Sequence, residues 1–201
     1  MPTKPHLNNN IFTSLQHRKN IKSLYFTAIM FNKTMIKMKS KNIPKTQGVR
    51  FLEDHNVEFT PHEYNYVDKG GTRVAAESVG CDEHVMLKTL VFEKIDDAGK
   101  HQPIIVLMHG DKSVSTKQLA RFLNVKSVEP AKPNDALKYT GYQVGGTSPF
   151  GTKQEIPVYA ESTIFNNEKI WINGGKRGFL VEINSAVLID ILPITEVEVA
   201  K

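Results

Sequence analysis

Seven of the 13 glycines in this 201-residue chain fall into two short segments, residues 140–151 (TGYQVGGTSPFG) and residues 174–178 (GGKRG). Glycine reaches positive φ and lets another backbone or a ligand approach main-chain N–H groups closely. Two readings follow. As structure, the segments are tight turns between strands. As chemistry, they are backbone cradles for a phosphate or a developing oxyanion. Neither contains G-x-x-x-x-G-K-[ST] and neither is a dinucleotide fingerprint, which excludes those two nucleotide-binding motifs.

Around these segments, short apolar runs alternate in type. Residues 44–56 read as a helix, with Pro44 near its start and Asn56 near its end. Residues 57–66 alternate like a strand, and Pro61 assigns it to an edge or a bulge. Residues 72–79 predict a short helix stopped by Gly80. Residues 85–93 and 103–109 predict a strand pair across the turn at residues 96–99. Ser115 caps a helix with Leu119, Phe122 and Leu123 on one face. A short strand over 127–131 and a helix over 133–139, closed by Gly141, come next. Strands over 169–173 and 179–183 flank GGKRG, with Trp171 and Ile172 read as core. Ser185 is the expected cap of a last helix reaching Leu192, and residues 195–200 alternate like a final strand. Interleaved elements with short connections predict a single mixed α/β domain, one sheet wrapped by helices.

The net charge of +5 is unevenly placed. Residues 1–41 hold eight Lys or Arg and no acid, whereas from residue 42 onward 18 basic residues face 21 acidic ones. The basic character belongs to the tail, so it gives no ground for calling the folded part a nucleic-acid binder. Residues 1–41 read as a basic, disordered extension before a domain over residues 42–201. The apolar stretch 24–31 is followed by Asn32 and Lys33 where a signal peptide needs small residues, and Arg18 is the only arginine a transit peptide could use. Met30, Met35 and Met38 are alternative starts. A cytoplasmic location is expected, with organellar import through residues 1–41 left open. No run approaches 18 apolar residues, so no membrane helix and no membrane partner is expected. The single cysteine, Cys81, allows no intrachain disulfide framework and no multi-cysteine metal site.

Lys88 stands out in the apolar run VMLKTLV, where an unpaired lysine is costly to bury. It is either a strand lysine facing solvent or a cation aimed at a phosphate or carbonyl oxygen. Ser148 is no nucleophile elbow, because Pro149 follows it and pushes it towards an extended conformation. It is better suited to hydrogen bonding. The seven histidines show no metal-ligand spacing.

The ordered combination KTL (residues 88–90), TGY-x-VGG-x-SP-x-G (residues 140–151) and GGKRG (residues 174–178) resembles the YbaK/EbsC family, and within it the Cys-tRNA(Pro) deacylases. The resemblance spans roughly residues 44–200. It implies a YbaK-like aminoacyl-tRNA editing fold, a mixed α/β domain with a mostly antiparallel, barrel-like mixed sheet. It implies hydrolysis of mischarged tRNA(Pro) in trans, without metal or organic cofactor, beside prolyl-tRNA synthetase as partner. The alternatives are another small aminoacyl ester, such as Ala-tRNA(Pro), or a non-catalytic RNA- or nucleotide-binding module.

Carried over residue by residue, the resemblance makes Lys88, Gly145, Gly146 and Ser148 the catalytic set. Tyr64, Thr147, Pro149, Gly151, Gly174, Gly175, Lys176, Arg177 and Gly178 become the substrate-binding set. It implies that N–H groups of the Gly145–Gly146 region hold the oxyanion while the substrate's own thiol cyclises onto the ester. Members often carry an aspartate two residues beyond GGKRG. This chain has Leu180 there, while Glu182 matches.

Overall fold

The computed structural model describes residues 43–201; the extension read into residues 1–41 lies outside the described residues. Local signals set most of the elements. Helix α1 (Gln47–Asp54) begins where the Thr46 hydroxyl accepts the Val49 N–H at 3.0 Å, and it buries Val49 and Leu52. Strand β1 (Thr60–Glu63) is shorter than the residues 57–66 expected of it. Helix α2 (Gly71–Val79) stops at Gly80, which takes φ 72°, a conformation glycine reaches without a Cβ penalty. After a 3₁₀ turn (Glu83–Val85), β2 (Leu87–Ile95) and β3 (His101–His109) form the expected hairpin.

Helix α3 (Thr116–Phe122) is capped by Ser115, whose hydroxyl accepts the Gln118 N–H, and β4 (Ser127–Pro130) follows. Helix α4 (Pro133–Thr140) starts on a proline and ends at Gly141, with φ 80°. Strand β5 (Val158–Glu161) and the 3₁₀ turn after it (Ser162–Asn166) were not foreseen from sequence. The chain closes with β6 (Lys169–Lys176), β7 (Phe179–Asn184), α5 (Val187–Ile191) and β8 (Ile194–Val197). No helix among the described residues is long and apolar enough to cross a membrane.

The mixed α/β class holds, but the strands divide between two sheets and neither closes into a barrel. The smaller sheet has the order β1–β7–β6 and is antiparallel throughout. The larger has the order β4–β2–β3–β5–β8; its first two pairings are antiparallel and its last two parallel. A single parallel bridge between Met86 and Trp171 links them. The 3₁₀ turn ends just before Met86, which leaves one extended residue there to pair with β6. Pro61 lies in β1, the outer strand of the small sheet, where its missing N–H costs least.

One core cluster lies on one face of the five-stranded sheet. Phe92, Ile104, Val106 and Met108 meet Leu119 of α3 and Val128 of β4. Leu119 is fully buried, and truncating it to alanine would cost about 2–5 kcal/mol. Phe122, expected beside it, is 54% exposed and rests edge-on against Tyr159. Ser185 does not cap the last helix through its side chain. It is buried, its carbonyl accepts the Leu188 N–H, and Asn184 Oδ1 takes the Ala186 N–H instead. Ile172 is core as expected. Trp171 is only partly buried, and its Nε1–H finds no partner among the described residues.

Candidate functional site

The two glycine segments interlock. Strand β6 carries a bulge between Asn173 and Lys176, and Gly175 sits in it at φ 100°. Asn173 organises the turn: its Oδ1 accepts the N–H groups of Gly175 (2.8 Å) and Lys176 (3.2 Å), and its Nδ2 donates to the Gly145 carbonyl at 3.2 Å. Arg177 Nε donates to the Val144 carbonyl at 2.9 Å. A Cβ on Gly146 would stand 2.9 Å from the Arg177 nitrogen, which is closer than real Cβ atoms come. Glycine is therefore required at Gly146 by the other loop. From behind, the Thr46 hydroxyl donates to the Gly174 carbonyl and tethers the bulge to α1.

A cavity of about 490 Å³ opens where this interlock faces β2. Five of the sequence-expected residues line it: Tyr64, Lys88, Gly145, Thr147 and Arg177. The other eight do not. Ser148 is fully buried, and its Oγ accepts the Phe150 N–H at 3.3 Å, so it props the loop from inside. Pro149 is buried with it. Gly151 packs on the Gln47 carbonyl, Gly178 on the Tyr64 carbonyl, and Gly174 and Gly175 under Phe179 and Tyr142. Lys176 is exposed beside the cavity-lining Arg177.

Main-chain donors at the site are selective. The Gly146 N–H is spent on the Gln143 carbonyl at 2.9 Å. The Gly145 N–H, on a residue that lines the cavity, makes no hydrogen bond to another described residue. Lys88 lies opposite Met108 on the ladder and stands at the cavity rim. Its Nζ donates to the Lys112 carbonyl at 2.8 Å, and its other two N–H donors have no partner among the described residues. The strand edge is open there because β4 pairs with β2 only from Phe92 onward.

Sequence reasoning missed Tyr66. The Arg177 guanidinium stacks over its ring, 5.1 Å from the centroid, and both residues line the cavity. The signal available was an aromatic two residues beyond Tyr64 on an extended segment. Asn173 was missed too, although an Asn just before a Gly pair is a known turn former. Burial raises the Tyr64 pKa, with the neighbouring Tyr66 adding to it, so its hydroxyl remains a proton donor at neutral pH. Leu180 is 4% exposed and forms an apolar wall with Ala75 and Met86. Glu182 lies two residues on, on the same face of β7 as Leu180, and is engaged by Lys169 and His62. The Lys169 hydrogen bond, with one from His62, holds its carboxyl below the usual range against the opposing effect of burial. Among the described residues the lining carries three cations (Lys69, Lys88, Arg177) against one acid, Asp68, and no histidine, cysteine, serine or glutamate. Such a surface suits a ligand that brings negative charge and a flat ring.

Comparison with known proteins narrows this further. The family model of the aminoacyl-tRNA editing domain matches residues 70–191. EbsC of Enterococcus faecalis, provisionally named a Cys-tRNA(Pro)/Cys-tRNA(Cys) deacylase, is 29% identical over 154 residues, covering 76% of this chain and 92% of that one. The proline–tRNA ligase of Levilactobacillus brevis is 35% identical over 89 residues, which is 44% of this chain but only 15% of the ligase. A crystal structure described, provisionally again, as a trans-editing enzyme for prolyl-tRNA synthetase shares the fold with a TM-score of 0.67 at 19% identity, over 80% of this chain and 99% of that one.

Proposed function

Because this chain belongs to the aminoacyl-tRNA editing domain family, we propose that it is a stand-alone deacylase that releases cysteine from Cys-tRNA(Pro) in trans, and that residues 42–201 are its editing domain. The observation that carries the reading is the cavity itself. Among the described residues it joins a rim lysine, a Gly145 N–H with no partner and a Tyr66–Arg177 stack, with no serine, cysteine or histidine in the lining to act as nucleophile and base. An aminoacyl ester is already labile, so positioning and charge stabilisation suffice.

In this mechanism the terminal adenosine lies against the Tyr66–Arg177 stack, where an aromatic or guanidinium plane accepts any base face. Lys88 and Arg177 hold the phosphate next to it. The thiol sulfur of the esterified cysteine attacks its own carbonyl carbon, and the Gly145 N–H donates to the developing oxyanion. The ester C–O bond breaks, the thiol proton ends on the 3′ oxygen of the tRNA, and water then opens the thiolactone to free cysteine. Selectivity against proline comes from the nucleophile the substrate carries. A size difference of one methylene in an apolar pocket gives only about 1–3 kcal/mol. The apolar wall of Leu180, Ala75 and Met86 takes the small side chain and keeps bulk water away. The cavity itself holds few phosphates, so its own affinity is modest, and prolyl-tRNA synthetase supplies residence and tRNA identity.

The test is a deacylation panel with Cys-, Ala- and Ser-tRNA(Pro) beside Lys88→Ala. Cysteine is released fastest, and Lys88→Ala loses most of that rate. Preference for Ala-tRNA(Pro) would transfer the assignment to that substrate. Binding without turnover on every substrate would make the protein a non-catalytic RNA-binding module. Full activity in Lys88→Ala would remove that residue from the site.

A further inference from the structure

A second concavity of about 490 Å³ lies between α3 and β4, apart from the cavity described above. Among the described residues its charged lining is Lys117, Arg121 and Lys126, with no acid, and none of the three makes an ion pair with another described residue. All three are exposed. Residues 112–138 hold six basic and two acidic residues, inside a domain whose overall balance is acidic.

Local structure does not account for this convergence. Lys117 is the second residue of α3, the end of the helix dipole that disfavours a cation. Arg121 follows it at i+4, where like charges repel. Asn124, in the left-handed region at φ 50°, turns the chain so that Lys126 comes back beside the same groove. Three features that each oppose one another in the free protein are relieved by one polyanion.

The groove and the cavity lie along one strand. Ser127 and Val128, at the start of β4, line the groove, and Ala131, just past its end, lines the cavity. Three extended residues from Val128 to Ala131 span about 10 Å. We infer that the Lys117–Arg121–Lys126 groove is a second contact for the RNA, holding backbone phosphates of the tRNA whose 3′ end occupies the cavity. The inference rests on the aminoacyl-tRNA reading of that cavity. A protein occupant fits less well, because among the described residues the groove offers no aromatic anchor and only Ala120, Val125 and Val128 as apolar lining.

The experiment measures binding of uncharged tRNA(Pro) by the full chain between about 50 and 200 mM salt, for the wild type, Lys117→Gln and the triple variant Lys117→Gln/Arg121→Gln/Lys126→Gln. Each lost phosphate contact makes the slope of log K against log salt shallower by about 0.7–0.9, so the triple variant loses roughly two units of slope and Lys117→Gln loses a fraction of one. With charged tRNA the triple variant shows a raised KM and an unchanged kcat. With a minimal aminoacyl-adenosine substrate it matches the wild type. An unchanged salt slope in the triple variant overturns the groove, as does loss of synthetase binding with tRNA binding intact. A wild type that binds with the steep slope but hydrolyses nothing overturns the deacylase reading and leaves the groove standing. A wild type that does not bind tRNA overturns both.

Discussion

On one side of the cavity the lining is main chain, held by side-chain hydrogen bonds and close backbone packing. The Gly145 carbonyl takes Asn173, the Val144 carbonyl takes Arg177, and Gly146 lies against the Lys176–Arg177 peptide with no room for a Cβ. On the other side, β2 offers side chains from a strand whose outer edge meets β4 only at Phe92 and beyond. Lys88 there can change partner by rotating a few bonds, giving up the Lys112 carbonyl for a ligand. The first wall fixes a geometry and tolerates no added atom. The second supplies charge and tolerates substitution structurally. A site that stabilises a transient charge needs both, since preorganised donors act only if they do not move.

The sharpest way to break this contrast is Gly146→Ala. Its new methyl meets backbone 2.9 Å away, which cannot yield as a side-chain tip would. A loss of about 1–3 kcal/mol in stability is expected, together with more than a tenfold loss of deacylation. A denaturant melt and a rate assay check it, and wild-type behaviour in both would show that the loops are not locked. Tyr66→Ala sharpens the contrast from the edge where the two walls meet. Removing the stacking face costs about 1–3 kcal/mol of binding, a roughly five- to hundredfold rise in KM with little change in kcat. Equal loss from kcat alone would place Tyr66 in the chemistry instead. The smallest effect belongs to Ser148→Ala. Its hydroxyl is buried and spent on the Phe150 N–H, so about 1 kcal/mol of stability is lost and turnover per folded molecule holds. A tenfold fall in turnover without a matching loss of stability would return Ser148 to the catalytic set.

The histidines show how a residue's role depends on neighbours distant in sequence. His109 is buried, its ring stacked 3.8 Å from that of His84, and its two nitrogens meet the His84 carbonyl and the Thr163 hydroxyl. Burial lowers its pKa, against the hydrogen bond to the His84 carbonyl, which raises it. Nothing in the spacing of residues 84, 109 and 163 announces that arrangement.

What could be read from the chain was local or matched a motif. Caps and stops such as Ser115, Gly80 and Gly141 act within one turn of themselves, so α2, α3 and α4 were legible from a few residues each. The β2–β3 hairpin was legible because its turn lies between its own strands. The three ordered motifs located the two loops and Lys88. Which members of those motifs face the ligand was decided elsewhere. Ser148 and Gly146 turn inward because α1 and the β6 bulge pack behind them, and Gly145 and Thr147 are left to line the cavity. Likewise the split into two sheets, the open half of β2 and the meeting of Tyr66 with Arg177 depend on segments tens of residues apart, from about 20 to more than 100. Sequence specifies torsions and polarity residue by residue; only the closed tertiary packing decides which polar groups are already satisfied and which are left for a substrate.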